Sequence, residues 1–135
     1  MLFRSSLPYI YAHLTKLSEV VFNLLINACE AIVQKKTAYE YQGNDAKITI
    51  RTSVHKKHVR IQVSDNGIGI PTHLIKRITE PFFTTKTSGT GKGLGLCITN
   101  EIIKSYGGRF TVTSEQGRQT EFIISFPPYE QPAGQ

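Results

Sequence analysis

Two glycine boxes constrain this chain more than any other feature. Asp65-Asn-Gly67-Ile-Gly69 opens a stretch that Gly91-Lys92-Gly93-Leu94-Gly95-Leu96 closes, and between them lies Glu80-Pro-Phe82-Phe83-Thr84-Thr85-Lys86. Glycine at alternate positions lets a backbone turn sharply and approach a ligand closely, because no Cβ stands in the way. Gly91, Gly93 and Gly95 directly precede an apolar pattern of helical period. That places them at a helix N-terminus, where free N–H groups favour phosphate. The strand-then-helix context of a dinucleotide fold is missing, so a lone glycine motif is not the argument. The weight rests on two boxes bracketing a long aperiodic segment, the length expected of a functional lid.

Upstream, Lys16–Gln34 has helical period, with Leu17, Val21, Leu24 and Ala28 on one stripe. Thr15 is the candidate N-cap. Glu19, Asn23, Asn27 and Glu30 form a second stripe beside the first. Asparagine is a poor helix former, so two in one helix interior suit residues that line a cleft. Two carboxamide oxygens about one turn apart are hard ligands of the kind Mg²⁺ accepts, although a merely solvated pair has the same spacing.

The remaining pattern is short strands. Pro8–Ala12 reads as a first strand. Lys47–Val54 and Val59–Val63 alternate around the polar turn His55-Lys-Lys-His58, giving a hairpin with Asp65 at the end of its second arm. A second helix runs over Gly93–Tyr106 and ends at Gly107-Gly108. Arg109–Thr113 and Thr120–Phe126 form a second hairpin. The fold expected is a two-layer α/β sandwich: one mixed, mainly antiparallel sheet with helices on one face. Residues 1–128 form one domain, followed by a flexible tail, 129–135.

Composition narrows the function classes. The chain has 135 residues and a net charge of +6, but its lysines and arginines are scattered without interleaved aromatics, so no nucleic-acid partner is expected. No apolar run approaches the length of a membrane span and no signal peptide is visible, so no direct membrane contact is expected. Cys29 and Cys97 sit in apolar helical patterns and read as buried reduced thiols, which fits the cytoplasm; a Cys29–Cys97 disulfide is the minor alternative. His55 and His58 could suggest a metal, but nothing nearby supplies further ligands.

Taken in order, Asn23-Leu-Leu-Ile-Asn27-Ala, Asp65-Asn-Gly-Ile-Gly-Ile70, Glu80-Pro-Phe-Phe-Thr-Thr-Lys86 and Gly91-Lys-Gly-Leu-Gly-Leu96 resemble the catalytic ATP-binding domain of bacterial two-component sensor histidine kinases. The resemblance runs from about Tyr9 to Pro127. It places the chain in the GHKL superfamily, with topoisomerase, chaperone and mismatch-repair ATPases, and implies the Bergerat ATP-binding fold. By that resemblance Asn27 is the Mg²⁺ ligand and Asn23 its helical neighbour, supporting metal and phosphate. Asp65 accepts a hydrogen bond from the adenine amine, Gly67 and Gly69 let the chain pass under the base, and Ile70 packs on it. Phe82, Phe83, Thr84, Thr85 and Lys86 begin the lid. Gly91, Lys92, Gly93, Leu94, Gly95 and Leu96 meet the phosphates, and Thr120 reaches the adenine through water. Two positions depart from the family pattern. Glu30 stands where many members have a lysine or arginine, which leaves the phosphate cation to Lys86 or Lys92. Gln119 replaces a glycine before Thr120.

The superfamily ATPases carry a glutamate base four residues before the metal asparagine. Asn23 occupies that position here, and a carboxamide cannot take a proton from water. The resemblance therefore implies a kinase, with Asn23, Asn27 and Lys86 acting on the phosphates. It donates the γ-phosphate of Mg-ATP to a histidine on a separate dimerisation domain, and a response regulator follows downstream. None of His13, His55, His58 and His73 has the context of that acceptor. The dimerisation domain is thus expected to be absent, the domain alone inactive in autophosphorylation, and the isolated domain a monomer. The cellular site implied is the cytoplasm, with membrane anchoring of a parent protein left open. A GHKL-type ATPase or serine kinase, or a nucleotide-binding pseudokinase, is the alternative.

Overall fold

The computed structural model describes residues 7–39, 45–81, 83 and 95–129. Helix α1 spans Leu14–Ala38, strands β1 and β2 span Ile48–His55 and His58–Asp65, a 3-10 helix covers Thr72–Arg77, helix α2 spans Gly95–Ser105, and strands β3 and β4 span Arg109–Glu115 and Gln119–Phe126. The sheet order is β1-β2-β4-β3, and every pairing among the described residues is antiparallel.

The alternation in β2 and β4 dictates the layers. Val59, Val63, Phe122, Ile124 and Phe126 are buried on one face, under Val20 and Leu24 of α1 and Ile103 of α2. Each fully buried aliphatic or aromatic side chain of this kind contributes about 1.5–3 kcal/mol. The intervening residues Arg60, Gln62, Ser64, Glu121 and Ser125 lie on the other face, where the Gln62 amide donates to the Glu121 carboxylate at 3.0 Å. Both helices therefore cover a single face, as the two-layer expectation requires. α2 ends as its glycines predict. Gly107 has φ +72°, and the Gly107 and Gly108 N–H groups donate to Lys104 O and Ile103 O, each at 2.9 Å.

Several local expectations are corrected. Residues 8–12 form no strand; the Tyr129 N–H donates to Tyr9 O at 2.7 Å and Ile10 packs against the core. The alternation of Tyr-Ile-Tyr suits an edge, but among the described residues no strand lies alongside to complete a ladder, and the sheet there is antiparallel instead of mixed. Helix α1 begins at Leu14, one residue before Thr15. Its cap is His13, without a side-chain bond. Cys29 is exposed and Cys97 half-buried, and both are free thiols. Cys29 continues an outward-facing apolar stripe with Phe22, Ile26 and Val33, so helical period alone did not distinguish the buried face from this one. Tyr129, placed in the tail, is held through its N–H and a ring contact with Tyr11 at 6.0 Å, and 130–135 lie outside the described residues.

Helix α1 is long and apolar enough to cross a membrane by length and composition alone. The expectation that no segment has that length is corrected. Val20, Leu24 and Ala28 are wholly buried, which accounts for one apolar face of the helix, while Phe22, Ile26 and Val33 on the other are exposed. The β1–β2 turn is also unusual. Lys56 and Lys57 have φ +49° and +67°, a region that costs a non-glycine residue about 1–2 kcal/mol.

Candidate functional site

A cavity of about 540 Å³ opens between α1, the segment after β2 and the start of α2. Asn23, Asn27, Asp65, Gly69, Ile70, Phe83, Gly95, Leu96 and Thr120, all singled out in the sequence, line it. Gly67 lies behind the wall. Phe82, Thr84, Thr85, Lys86, Gly91, Lys92, Gly93 and Leu94 lie outside the described residues. Glu30 also lines the cavity, whereas Glu19 leaves the stripe to pair with Lys16 at 3.6 Å on the surface.

One wall is a rung of the sheet. Asp65 on β2 stands opposite Thr120 on β4, which stands opposite Ser114 on β3. The Ser114 hydroxyl donates to Gln119 O at 2.7 Å and accepts from the Ile70 N–H at 2.7 Å. A serine hydroxyl has one proton, so the 2.9 Å contact between Ser114 Oγ and Thr120 Oγ1 is a donation from Thr120. The Thr120 oxygen then faces the cavity as an acceptor. Asp65, 4% exposed, accepts the Gly67 N–H on Oδ1 at 2.8 Å. Its second oxygen remains as another acceptor in the same corner. Burial pushes the Asp65 carboxyl up to about 6, against the lowering influence of the Gly67 N–H and the Lys35 ammonium. At neutral pH it is still a carboxylate.

The opposite wall belongs to α1. The Asn27 amide nitrogen donates to Asn23 O at 2.8 Å, which leaves the Asn27 carbonyl oxygen for the cavity. The Asn23 amide nitrogen reaches Gly95 O and Thr99 Oγ1, each at 3.4 Å, and so joins α1 to the first turn of α2. Both asparagines thus spend their donors on the protein, and the groups left over are hard oxygen ligands. Among the described residues no three His, Cys, Asp or Glu side chains cluster as a metal site, so a cation here would take few protein ligands.

The segment after β2 is pinned through Ile68 and Asn66. The Ile68 N–H donates to Ala31 O at 2.9 Å, and Ile68 O accepts the Gly117 N–H across the chain. Asn66 takes the Lys47 N–H on Oδ1 at 2.8 Å and the Lys35 ammonium on its backbone oxygen at 3.0 Å. Gly69 has φ +73°, in the left-handed region. Pro71, Leu74, Ile78 and Phe83 close the apolar side, and the Arg77 guanidinium lies 4.8 Å from the Phe83 ring centre.

Sequence reasoning missed Ser114, Thr99 and Lys35. Ser114 was read as part of a turn, yet pairing Arg109–Glu115 with Gln119–Phe126 puts it opposite Thr120. Thr99 stands four residues after Gly95, on the face that meets α1. Ser114→Ala removes the acceptor of the Ile70 N–H and the partner that orients Thr120. It is expected to weaken nucleotide affinity about 3- to 10-fold, measured by titration calorimetry.

The family model described as histidine kinase-, DNA gyrase B- and HSP90-like ATPase matches residues 12–130. Sporulation kinase E of Bacillus subtilis (strain 168) is 37% identical over 121 residues, 90% of this chain and 15% of that protein. The nucleotide-free catalytic domain of the histidine kinase ThkA superposes with a TM-score of 0.69 at 34% identity, covering 88% of this chain and 70% of that one. Full-length ShkA in complex with AMPPNP gives a TM-score of 0.75 at 28% identity, covering 96% of this chain and 25% of that one. The chain therefore spans well under a third of such full-length relatives.

Proposed function

Because this chain belongs to the family of histidine kinase-, DNA gyrase B- and HSP90-like ATPases, we propose that it binds Mg-ATP and donates the γ-phosphate to a histidine on a separate dimerisation domain. The observation that carries the reading is the pair of acceptors on one rung, Asp65 and Thr120, facing Asn23 and Asn27 across the cavity. Two acceptors suit the exocyclic amine of adenine. Guanine presents a carbonyl oxygen at that position, which both would repel. Ile70, Leu74 and Ile78 supply the apolar surface that a purine face needs.

Across the cavity, the Asn27 carbonyl oxygen, supported by Asn23, fits a Mg²⁺ that keeps waters and shares phosphate oxygens. Bound there, the cation supplies neutralisation of phosphate charge. Asn23 holds the place of a water-activating base but has no basicity, and its amide is already committed to Gly95 and Thr99. The chain's own residues thus hold and orient the nucleotide without helping water attack it. That suits transfer to an imidazole, which is nucleophilic when neutral. Lys86, Lys92 and the Gly91–Gly95 box would meet the phosphates. In this reading the phosphate passes to a histidine of the separate dimerisation domain and from there to a response regulator, and the domain works in the cytoplasm.

The test is calorimetric titration of the chain with ATP and GTP, with and without Mg²⁺, with phosphate release followed in the same sample. Adenine-selective, Mg²⁺-strengthened binding with negligible phosphate release is expected, as is labelling of a histidine-bearing dimerisation domain added in trans. Asn27→Ala should abolish the Mg²⁺ enhancement, about 10-fold or more, while leaving metal-free binding in place. Rapid phosphate release would replace the kinase reading with an ATPase.

A further inference from the structure

The uncovered face of the sheet carries a second depression, away from the cavity. Ser53, Arg60, Ser125 and Arg109 form one rung across β1, β2, β4 and β3. Arg60 lies five residues before Asp65 on β2, roughly 16 Å along the strand and on the opposite face. The depression encloses about 280 Å³, and the β1–β2 turn walls one side of it with His55, Lys56 and His58. Its lining contains Lys, Arg, His and hydroxyl side chains and no carboxylate.

Two features of this corner run against stability. First, the ion pairs among the described residues use Lys16, Arg77 and Arg118, and none involves Lys56, Arg60 or Arg109. An antiparallel sheet readily places opposite charges on neighbouring strands, but here Arg60 and Arg109 flank a serine. Second, the turn puts Lys56 and Lys57 in left-handed backbone, where Asn-Gly would sit without strain. Charge is thus concentrated where both backbone and neighbours resist it, the pattern expected of a functional site.

We infer that this rung is a second anion site, for a ligand bearing a phosphate ester. Each guanidinium presents the fork of N–H donors that a phosphate accepts, the Ser125 hydroxyl stands between them on the rung, and the Thr111 hydroxyl adds a further donor. The volume suits one phosphorylated group rather than a polymer. The lining holds no Phe, Tyr or Trp ring of the kind on which single-stranded bases stack, and Ile123 is its one apolar residue.

The experiment follows backbone amide NMR shifts of the whole chain against three probes: sodium pyrophosphate, phosphatidylglycerol–phosphatidylcholine vesicles compared with phosphatidylcholine alone, and an aspartate-rich peptide. Shifts at Arg60, Arg109, Thr111 and Ser125 are expected with pyrophosphate or with the anionic vesicles. The first outcome marks a soluble phosphorylated ligand and the second a lipid headgroup. Arg60→Gln with Arg109→Gln should weaken that binding at least about 10-fold while leaving ATP affinity and the thermal midpoint intact. Shifts confined to the Asp65 cavity, a double variant that binds as well as the parent, or equal affinity for the aspartate-rich peptide would each overturn the assignment.

Discussion

Asp65→Asn is expected to lower ATP affinity about 10- to 100-fold at neutral pH, and at the same time to make the nucleotide-free domain more stable. The two effects have one cause. The side-chain oxygen that takes the Gly67 N–H at 2.8 Å can be kept by asparagine, so the second position becomes an NH₂ group. That group faces the adenine amine, donor against donor, and Thr120 alone cannot replace the lost acceptor. Stability moves the other way because the Asp65 carboxyl is raised from 3.8 to about 6 in the folded protein. Between those values the folded state holds more protons than the unfolded one. Stability therefore falls as pH rises through the window, and the loss persists above it. Asparagine lacks this slope. The difference in ATP affinity between parent and variant should shrink as pH falls through about 6, where the parent's carboxyl also protonates. Calorimetry from pH 5 to 8, paired with thermal unfolding, reads both. A variant that binds ATP normally, or that is less stable at pH 7.5, would remove Asp65 from the adenine corner.

Gly67→Ala is expected to damage fold and site together. A Cβ at this position would lie 2.5 Å from the carbonyl carbon of Ala31 and 2.8 Å from its oxygen, both backbone atoms of α1. They can give way only if the helix and the segment after β2 separate. Separation stretches the 2.9 Å bond from the Ile68 N–H to Ala31 O, which holds the cavity floor against the helix bearing Asn27. Overpacking of this kind costs about 1–3 kcal/mol, a fall in thermal midpoint of about 5–10 °C for a domain this size. ATP affinity should fall further than unfolding alone explains. Gly95→Ala is the control. Its Cβ would have the Asn23 Cγ as nearest protein neighbour at 4.0 Å, so the thermal midpoint should hardly change. Equal effects from the two substitutions would show that contact with Ala31 is not what Gly67 provides.

Periodicity carried much of this architecture, and its failures are physical. The two hairpins and both helices were legible because each buries one face and exposes the other, and Asp65 was legible because the second arm of a hairpin had to end there. The stripe Asn23–Asn27–Glu30 was legible because asparagine is costly inside a helix. Three things were not. A strand at Pro8–Ala12 has the right alternation, but strands exist by pairing, and no sequence window contains the partner. The exposure of Cys29 escaped because α1 is apolar on two faces, of which the sheet covers one. Ser114 escaped because its role depends on register across β3 and β4, while its immediate neighbours spell a turn. The family resemblance supplied what no pattern could: a proposal for which of several plausible polar residues would meet a nucleotide.

The rung Asp65–Thr120–Ser114 also ties recognition to correct assembly. These residues come from three strands and meet because each strand is aligned to the residue. Sliding β4 by a single position would turn Thr120 to the uncovered face and bring Gln119 or Glu121 into its place. The adenine corner would then disappear outright instead of weakening by degrees. A domain of this design cannot be half competent. In the proposed reading, capture of a nucleotide would itself report that the chain has aligned its strands correctly, and a misaligned copy would be silent instead of altered in specificity.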